Sequence, residues 1–329
     1  MSPSTLRPLL LSAILILLSG SASLYQAQDI TGGAGKSGDI VGGAGLISKR
    51  PENPQVKMSR SARDQKEKSI EKANRARNSG GTHYGEAEAE YRSVIRLYPD
   101  EVRGYAGLGN VLFDQQRYAE AAQAYQKAVT LKPDYAEAYM PLGYVYYKIG
   151  KYPESLEAYK QLTRLKQDVA EAYSNLGFAY NRMERFEESV AASQQAIRLA
   201  SGKGQAYELL SQDNKSVMAL AYKNLGNAYN ELGKFDEAIE TLKQSNLLEP
   251  NNAATQFNLG LTYYNARRYA EAIEAYRQAI KLKPNLAVAH YNLGVAYVSA
   301  GNRQGALEEY QILKTLKPDW AEDLRRVIK

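Results

Sequence analysis

The sequence predicts an all-α fold, a solenoid of about seven antiparallel helix pairs closed by a C-terminal capping helix. Three observations predict it. A Leu-Gly pair recurs at 108–109, 142–143 and 176–177 and again at 225–226, 259–260 and 293–294, a spacing of 34 residues within each run. A period of that length is the mark of stacked helical hairpins. Between the pairs, apolar residues fall three and four apart, the spacing of one helical face. Finally, Pro133, Pro250, Pro284 and Pro318 stand at one register, where a second helix has to stop.

The chain begins with a segment that reads as a secretory signal, residues 1–28. Arg7 gives it a positive start, Leu9–Leu18 is apolar except for Ser12, and Gly20-Ser21-Ala22-Ser23 offers small residues for cleavage near Ala22 or Ala27. The apolar core is too short to span a bilayer as a helix. The alternative is an uncleaved membrane anchor. The expected location is the periplasm or cell envelope of a bacterium. N-terminal sequencing of the exported protein checks this: a chain that begins at Ser2 excludes cleavage.

Residues 29–65 read as a flexible linker. A tandem duplication, DITGGAGKSG then DIVGGAGLIS, is followed by a basic stretch with Pro51 and Pro54. Gly35-Lys36-Ser37 imitates the end of a phosphate loop, but Ile30 stands where that loop needs glycine, so nucleotide binding is not expected. The formal charge of +6 is concentrated between Lys49 and Arg77. That tail (49–77) is a candidate for weak contact with an anionic surface. It carries no interleaved aromatics, so a nucleic-acid partner is not expected. There is no cysteine, hence no disulfide framework.

The repeats divide as 66–99, 100–133, 134–167, 168–201, 217–250, 251–284 and 285–318, with a cap at 319–329. The first has Asn74-Arg75 in place of Leu-Gly. Glycine inside a helix costs about 1 kcal/mol relative to alanine. Its recurrence therefore predicts a close approach of the two helices, with Ala121, Ala238, Ala272 and Ala306 opposite. Tyr146, Tyr180, Tyr229, Tyr263 and Tyr297 from first helices, and Tyr125, Tyr159, Tyr276 and Tyr310 from second helices, are the expected core. The Asp or Asn after each boundary proline is expected to cap the next helix. Gln167 and Ser201 replace the proline and predict weaker stops. The extra residues 202–216 break the spacing and read as an insertion, a loop with a helical stretch at Gln205–Gln212.

With Tyr222, Leu225-Gly226, Tyr229, Ala238 and Pro250 in register, the chain resembles the tetratricopeptide-repeat (TPR) family over about 66–329. The resemblance implies a right-handed solenoid whose inner wall, lined by first helices, binds peptides or extended protein segments. The residue before Leu-Gly is Asn175, Asn224, Asn258 and Asn292, a column that resembles the asparagine ladder in the TPR region of O-linked N-acetylglucosamine transferases. An amide carries both a donor and an acceptor and can pair with a peptide backbone. Tyr144, Tyr147, Phe178, Phe257, Tyr264 and Tyr291 are the candidate pockets on that face. Lys223, Asn227 and Asn258 match part of the family's carboxylate clamp, but Val288 and Asn292 depart from it, so a chaperone-type clamp is not expected.

The function expected is a non-enzymatic protein-binding scaffold with no cofactor and no metal. The alternative is an accessory subunit that presents substrates to a separately encoded enzyme such as a glycosyltransferase. Self-association through the end faces is a further expectation. His290 takes the register of core aromatics such as Tyr105 and reads as a packed histidine. His83 falls in a turn. Glu187-Glu188 and Glu308-Glu309 read as solvated faces of second helices.

Overall fold

A computed structural model describes residues 59–202 and 211–329. The readings of 1–58, namely the signal, the duplication and most of the linker, and the middle of the 202–216 insertion fall outside the described residues. Fifteen α-helices and one short 3-10 turn (Gly81–His83) make up the described part. In order they are α1 (Arg60–Asn78), α2 (Tyr84–Leu97), α3 (Val102–Asp114), α4 (Tyr118–Leu131), α5 (Ala136–Lys148), α6 (Tyr152–Leu165), α7 (Ala170–Arg182) and α8 (Phe186–Ala200). There follow α9 (Gln212–Glu231), α10 (Phe235–Leu248), α11 (Ala253–Asn265), α12 (Tyr269–Leu282), α13 (Ala287–Ser299), α14 (Arg303–Leu316) and α15 (Pro318–Ile328). Two compact units result, with the division inside α7: one ends at Ala172, the other begins at Tyr173. Among the described residues no helix is long and apolar enough to cross a membrane.

In each unit consecutive helices pack as hairpins, and odd-numbered helices also touch the next odd-numbered one: α1 with α3, α3 with α5, α9 with α11, α11 with α13. Within each unit the odd helices thus form one layer and the even helices another. The expected alternation of first and second helices is present, with two shifts. α1 starts at Arg60 rather than about Lys66, because Ser59 caps it by accepting from the Ala62 N–H at 3.2 Å. Residues 212–216, read as insertion, are the first turn of α9, capped by Ser211 through the Asn214 N–H. α9 is accordingly 20 residues long where α11 is 13.

The hairpin turns share one backbone solution. The residue eight places after each Leu of Leu-Gly is left-handed: Gln116, Gly150, Glu184, Gly233, Arg267 and Gly301 have φ between 56° and 77°. The next N–H then reaches back across the turn, as from Arg117 to Leu112 O and Arg268 to Tyr263 O, both at 2.8 Å. This is the Schellman closure, which satisfies the last carbonyls of the first helix. The cation that follows is reused: Arg185 lies 4.9 Å over the Tyr180 ring and Arg268 4.9 Å over Tyr263, while each pairs with a glutamate three residues on, Glu188 and Glu271.

The glycines allow the expected close approach of the two helices: Ser155 and Ser189, at the register of the opposing alanines, donate to Gly143 O and Gly177 O at 2.7 and 2.8 Å. They also seat an aromatic, since a Cβ at Gly109, Gly143 or Gly260 would meet the ring of Tyr125, Tyr159 or Tyr276 at 2.6–2.7 Å. Those three tyrosines are fully buried; Tyr146, Tyr180, Tyr229, Tyr263 and Tyr310 are only half-buried. At Gly294 the atom met is Leu324 of α15. α15 touches both α13 and α14, with Ala321 and Leu324 completely buried. It takes the place of a next first helix, and LysProAspTrpAla at its start repeats the LysProAspTyrAla before α5.

The stops and caps also depart from expectation. α6 ends at Leu165 in the usual register although Gln167 replaces proline, because Lys166 turns extended all the same. α8, where Ser201 replaces proline, runs on to Ala200. Asp134, Asn251 and Asn285 are not caps. Asn252 is the cap of α11, accepting from the Ala254 and Thr255 N–H groups, and Tyr135 and Leu286 precede α5 and α13 without side-chain bonds.

Candidate functional site

In the unit ending at Ala172, the last turns of the odd helices present a run of rings. Phe113 of α3 contacts Tyr118 of α4 at 5.8 Å between centroids and Tyr144 of α5 at 5.5 Å. Tyr144 continues to Tyr147 at 6.4 Å, and Tyr147 to Tyr152 of α6 at 6.0 Å. All five rings are half-buried. Tyr144 and Tyr147 were expected on this face; Phe113, Tyr118 and Tyr152 were missed. The signal was available, since Phe113 and Tyr147 occupy the same register. Exposed Lys148 extends the run, with Nζ 5.4 Å from the Tyr144 centroid and 5.9 Å from Tyr118. The same unit carries polar contacts on its first two helix pairs: Tyr125 Oη donates to Asn110 at 2.6 Å, Tyr91 donates to Asn74, and Arg77 pairs with Asp114 at 2.7 Å. Gly107, at the asparagine register, sits against the Tyr91 ring, where a side chain would collide at 2.1 Å.

In the unit beginning at Tyr173 the asparagine column is mostly packed between helices. Asn224, Asn258 and Asn292 are buried; Asn175 is half-buried. Asn224 Nδ2 donates to Ser174 O at 3.0 Å, and Asn181 Nδ2 donates to Asn224 O at 2.8 Å, which joins α7 to α9. Asn258 Nδ2 donates to Asn227 Oδ1 at 2.8 Å, and Asn265 Nδ2 to Asn230 Oδ1 at 2.9 Å, which join α9 to α11. The Asn224 and Asn258 amides, expected to pair with a peptide backbone, have their Nδ2 donors on the neighbouring first helix. Asn292 Nδ2 is buried without a partner, since the residue in the Asn227 register one repeat earlier is Leu261.

The candidate pockets divide in the same way. Phe257 packs 5.7 Å from Tyr276, and Tyr291 is buried 6.1 Å from Trp320, so both belong to the core. Tyr264 is half-buried, 5.5 Å from Tyr269, with its hydroxyl 3.2 Å from Ser299 Oγ. Phe178 and Lys223 are half-buried; burial lowers the Lys223 amine, and Glu249 pulls it the other way. His290 is buried, as expected, but Glu309 is a correction: it is buried and not on a solvated face. His290 Nδ1 lies 2.6 Å from Glu309 Oε2 and Nε2 lies 2.8 Å from Pro284 O. Burial pushes the imidazole down; its bonds to Glu309 and to the Pro284 carbonyl outweigh this, and the net direction is up.

Helical hairpins with a shared turn, a small-residue contact at one register and an odd-helix face carrying part-exposed aromatics define a helical-repeat protein built for contact with other chains. Two descriptions of the repeat match in sequence: TPR repeat over 109–150, 143–184, 226–266 and 268–301, and tetratricopeptide repeat over 168–245. The chain belongs to the tetratricopeptide-repeat family. No curated protein matches it. Among solved structures it is similar to PilW, a widely conserved type IV pilus biogenesis factor, at 21% identity and TM-score 0.58, over 69% of this chain and 98% of that one. A tetratricopeptide repeat protein from Parabacteroides merdae aligns at 15% identity and TM-score 0.59, over 81% and 100%. Pseudomonas aeruginosa pilF aligns at 20% identity and TM-score 0.53, over 68% and 96%. These likenesses are of fold.

Proposed function

We propose that this protein is an exported, non-enzymatic scaffold that holds an extended segment of a partner protein against the odd-helix faces of its repeats. The observation that carries the reading is the run Phe113, Tyr118, Tyr144, Tyr147 and Tyr152, five half-buried rings crossing four helices. Aromatic rings supply contact area at low entropic cost, so a part-exposed run is suited to a docked chain. Asn175, Asn227, Phe178, Lys223 and Tyr264, half-buried on α7, α9 and α11, are the corresponding contacts of the other unit. Asn224 and Asn258 contribute by fastening first helices to one another. Export rests on the apolar N-terminal segment, and a protein delivered there would bridge components of the envelope.

Capture from envelope extracts tests the reading. The Tyr144→Ala/Tyr147→Ala variant is expected to lose the partner while melting within a few degrees of the parent. Full retention of the partner sinks the reading for this face. An enzyme recovered together with its substrates makes the protein an accessory subunit instead.

A further inference from the structure

The aromatic run converges on one cation. The Lys148 ammonium stands over the rings of Tyr144 and Tyr118, where the negative faces hold it without cancelling its charge. Its counterpart one repeat earlier is Asp114, an acid. Asp114 is already taken, with Oδ2 2.7 Å from Arg77 Nε. The other arginine of the neighbourhood, Arg117, is held by Glu88 and Glu120, each at 2.7 Å. Lys166 is paired with Glu137 at 3.2 Å. Lys148 forms no ion pair among the described residues and is exposed. The face therefore carries an uncompensated positive charge beside five rings, and Lys151, exposed and likewise without an ion pair among the described residues, directly precedes Tyr152.

Resting on the reading above, we propose that this face takes an extended acidic segment of a partner protein, with an aspartate or glutamate carboxylate on Lys148 and aliphatic or proline side chains against Tyr144 and Tyr147. A carboxylate is the group that an ammonium binds through charge-assisted hydrogen bonds. The Tyr144 and Tyr118 rings also offer their faces to the apolar groups that flank the carboxylate. A basic segment is repelled. A nucleic acid would need a row of free cations to follow its phosphates, and Arg77 and Arg117 are not free.

A phage-displayed library of random dodecapeptides, selected on the whole mature chain, tests this. The parent is expected to enrich peptides with Asp or Glu next to aliphatic residues or proline. Lys148→Met is expected to bind the leading peptide about tenfold more weakly, and Lys148→Glu to enrich Lys and Arg in place of acids. Both substitutions are on an exposed side chain, and thermal melting checks that they fold. Peptides lost in Tyr144→Ala/Tyr147→Ala but selected without acidic bias, or acidic bias retained in Lys148→Glu, overturn the inference and leave the scaffold reading standing. No peptide selected by the parent removes both.

Discussion

His290 and Glu309 are a paired departure from the repeat. The His290 register holds Tyr139 in the third helix pair, whose hydroxyl donates to Pro133 O at 2.9 Å. The Glu309 register holds Ala158 there and Ala124 and Ala275 elsewhere, all buried. The histidine keeps the bond to the boundary carbonyl and adds one to the new acid. Both ring nitrogens face acceptors, so only the imidazolium satisfies both. The folded pKa is raised above the ordinary 6.5. The stabilisation is thus fully present below the unfolded value and is lost as pH rises through the folded one. The melting temperature of the parent is expected to fall across that window relative to Glu309→Gln. The double variant His290→Tyr/Glu309→Ala, which restores the ordinary pair, is expected to lose this dependence. A parent and a double variant with parallel profiles would refute the assignment.

At the scale of the element, the turn between first and second helix decides much of the local energetics. Three of its six left-handed positions are glycine and three are Gln116, Glu184 and Arg267. A side chain there costs on the order of 1–2 kcal/mol, because Cβ crowds the following carbonyl. The Schellman bonds and the cation–ring contacts after the turn hold the conformation in spite of that cost. Glu184→Gly and Arg267→Gly are each expected to stabilise by about 0.5–1 kcal/mol, the strain relieved less the greater freedom that glycine has when unfolded. Urea titration reads this as a raised midpoint at constant slope. A lowered midpoint would mean that contacts of the side chain outweigh the strain. The hairpin turn was visible in the sequence as a break between apolar faces, but its handedness was not, since half of its positions lack the glycine that announces it.

At the scale of the molecule, each unit is a chain of nearest-neighbour contacts, so stability is close to a sum of hairpins and interfaces. α15 closes one end by filling the groove beside Gly294 with Leu324. Leu324→Ala is expected to cost about 2–5 kcal/mol, the range for a buried leucine, and to act locally. Amide exchange should speed up in α13, α14 and α15 while α1 to α6 keep their protection. Uniform acceleration along the chain would show that the array unfolds as one unit.

The repeat, its register, the helix pairing, the cap and the family were legible in one dimension, because each follows from apolar periodicity and from residues whose backbone limits are intrinsic. The pattern also placed Tyr144 and Tyr147 on the face they occupy. Which polar residues of that face bond to a neighbouring helix emerges only once the helices pack. Asn258 and Asn227 share the chemistry of any solvent-facing amide, and nothing in the one-dimensional pattern says that α9 and α11 come close enough for them to bond to each other. The same holds for Glu309, which reads as half of an acidic surface pair until the histidine of the next helix over claims it. Contacts between residues distant in sequence depend on how layers of helices meet, and a periodic pattern records which face a residue lies on but not what waits across from it.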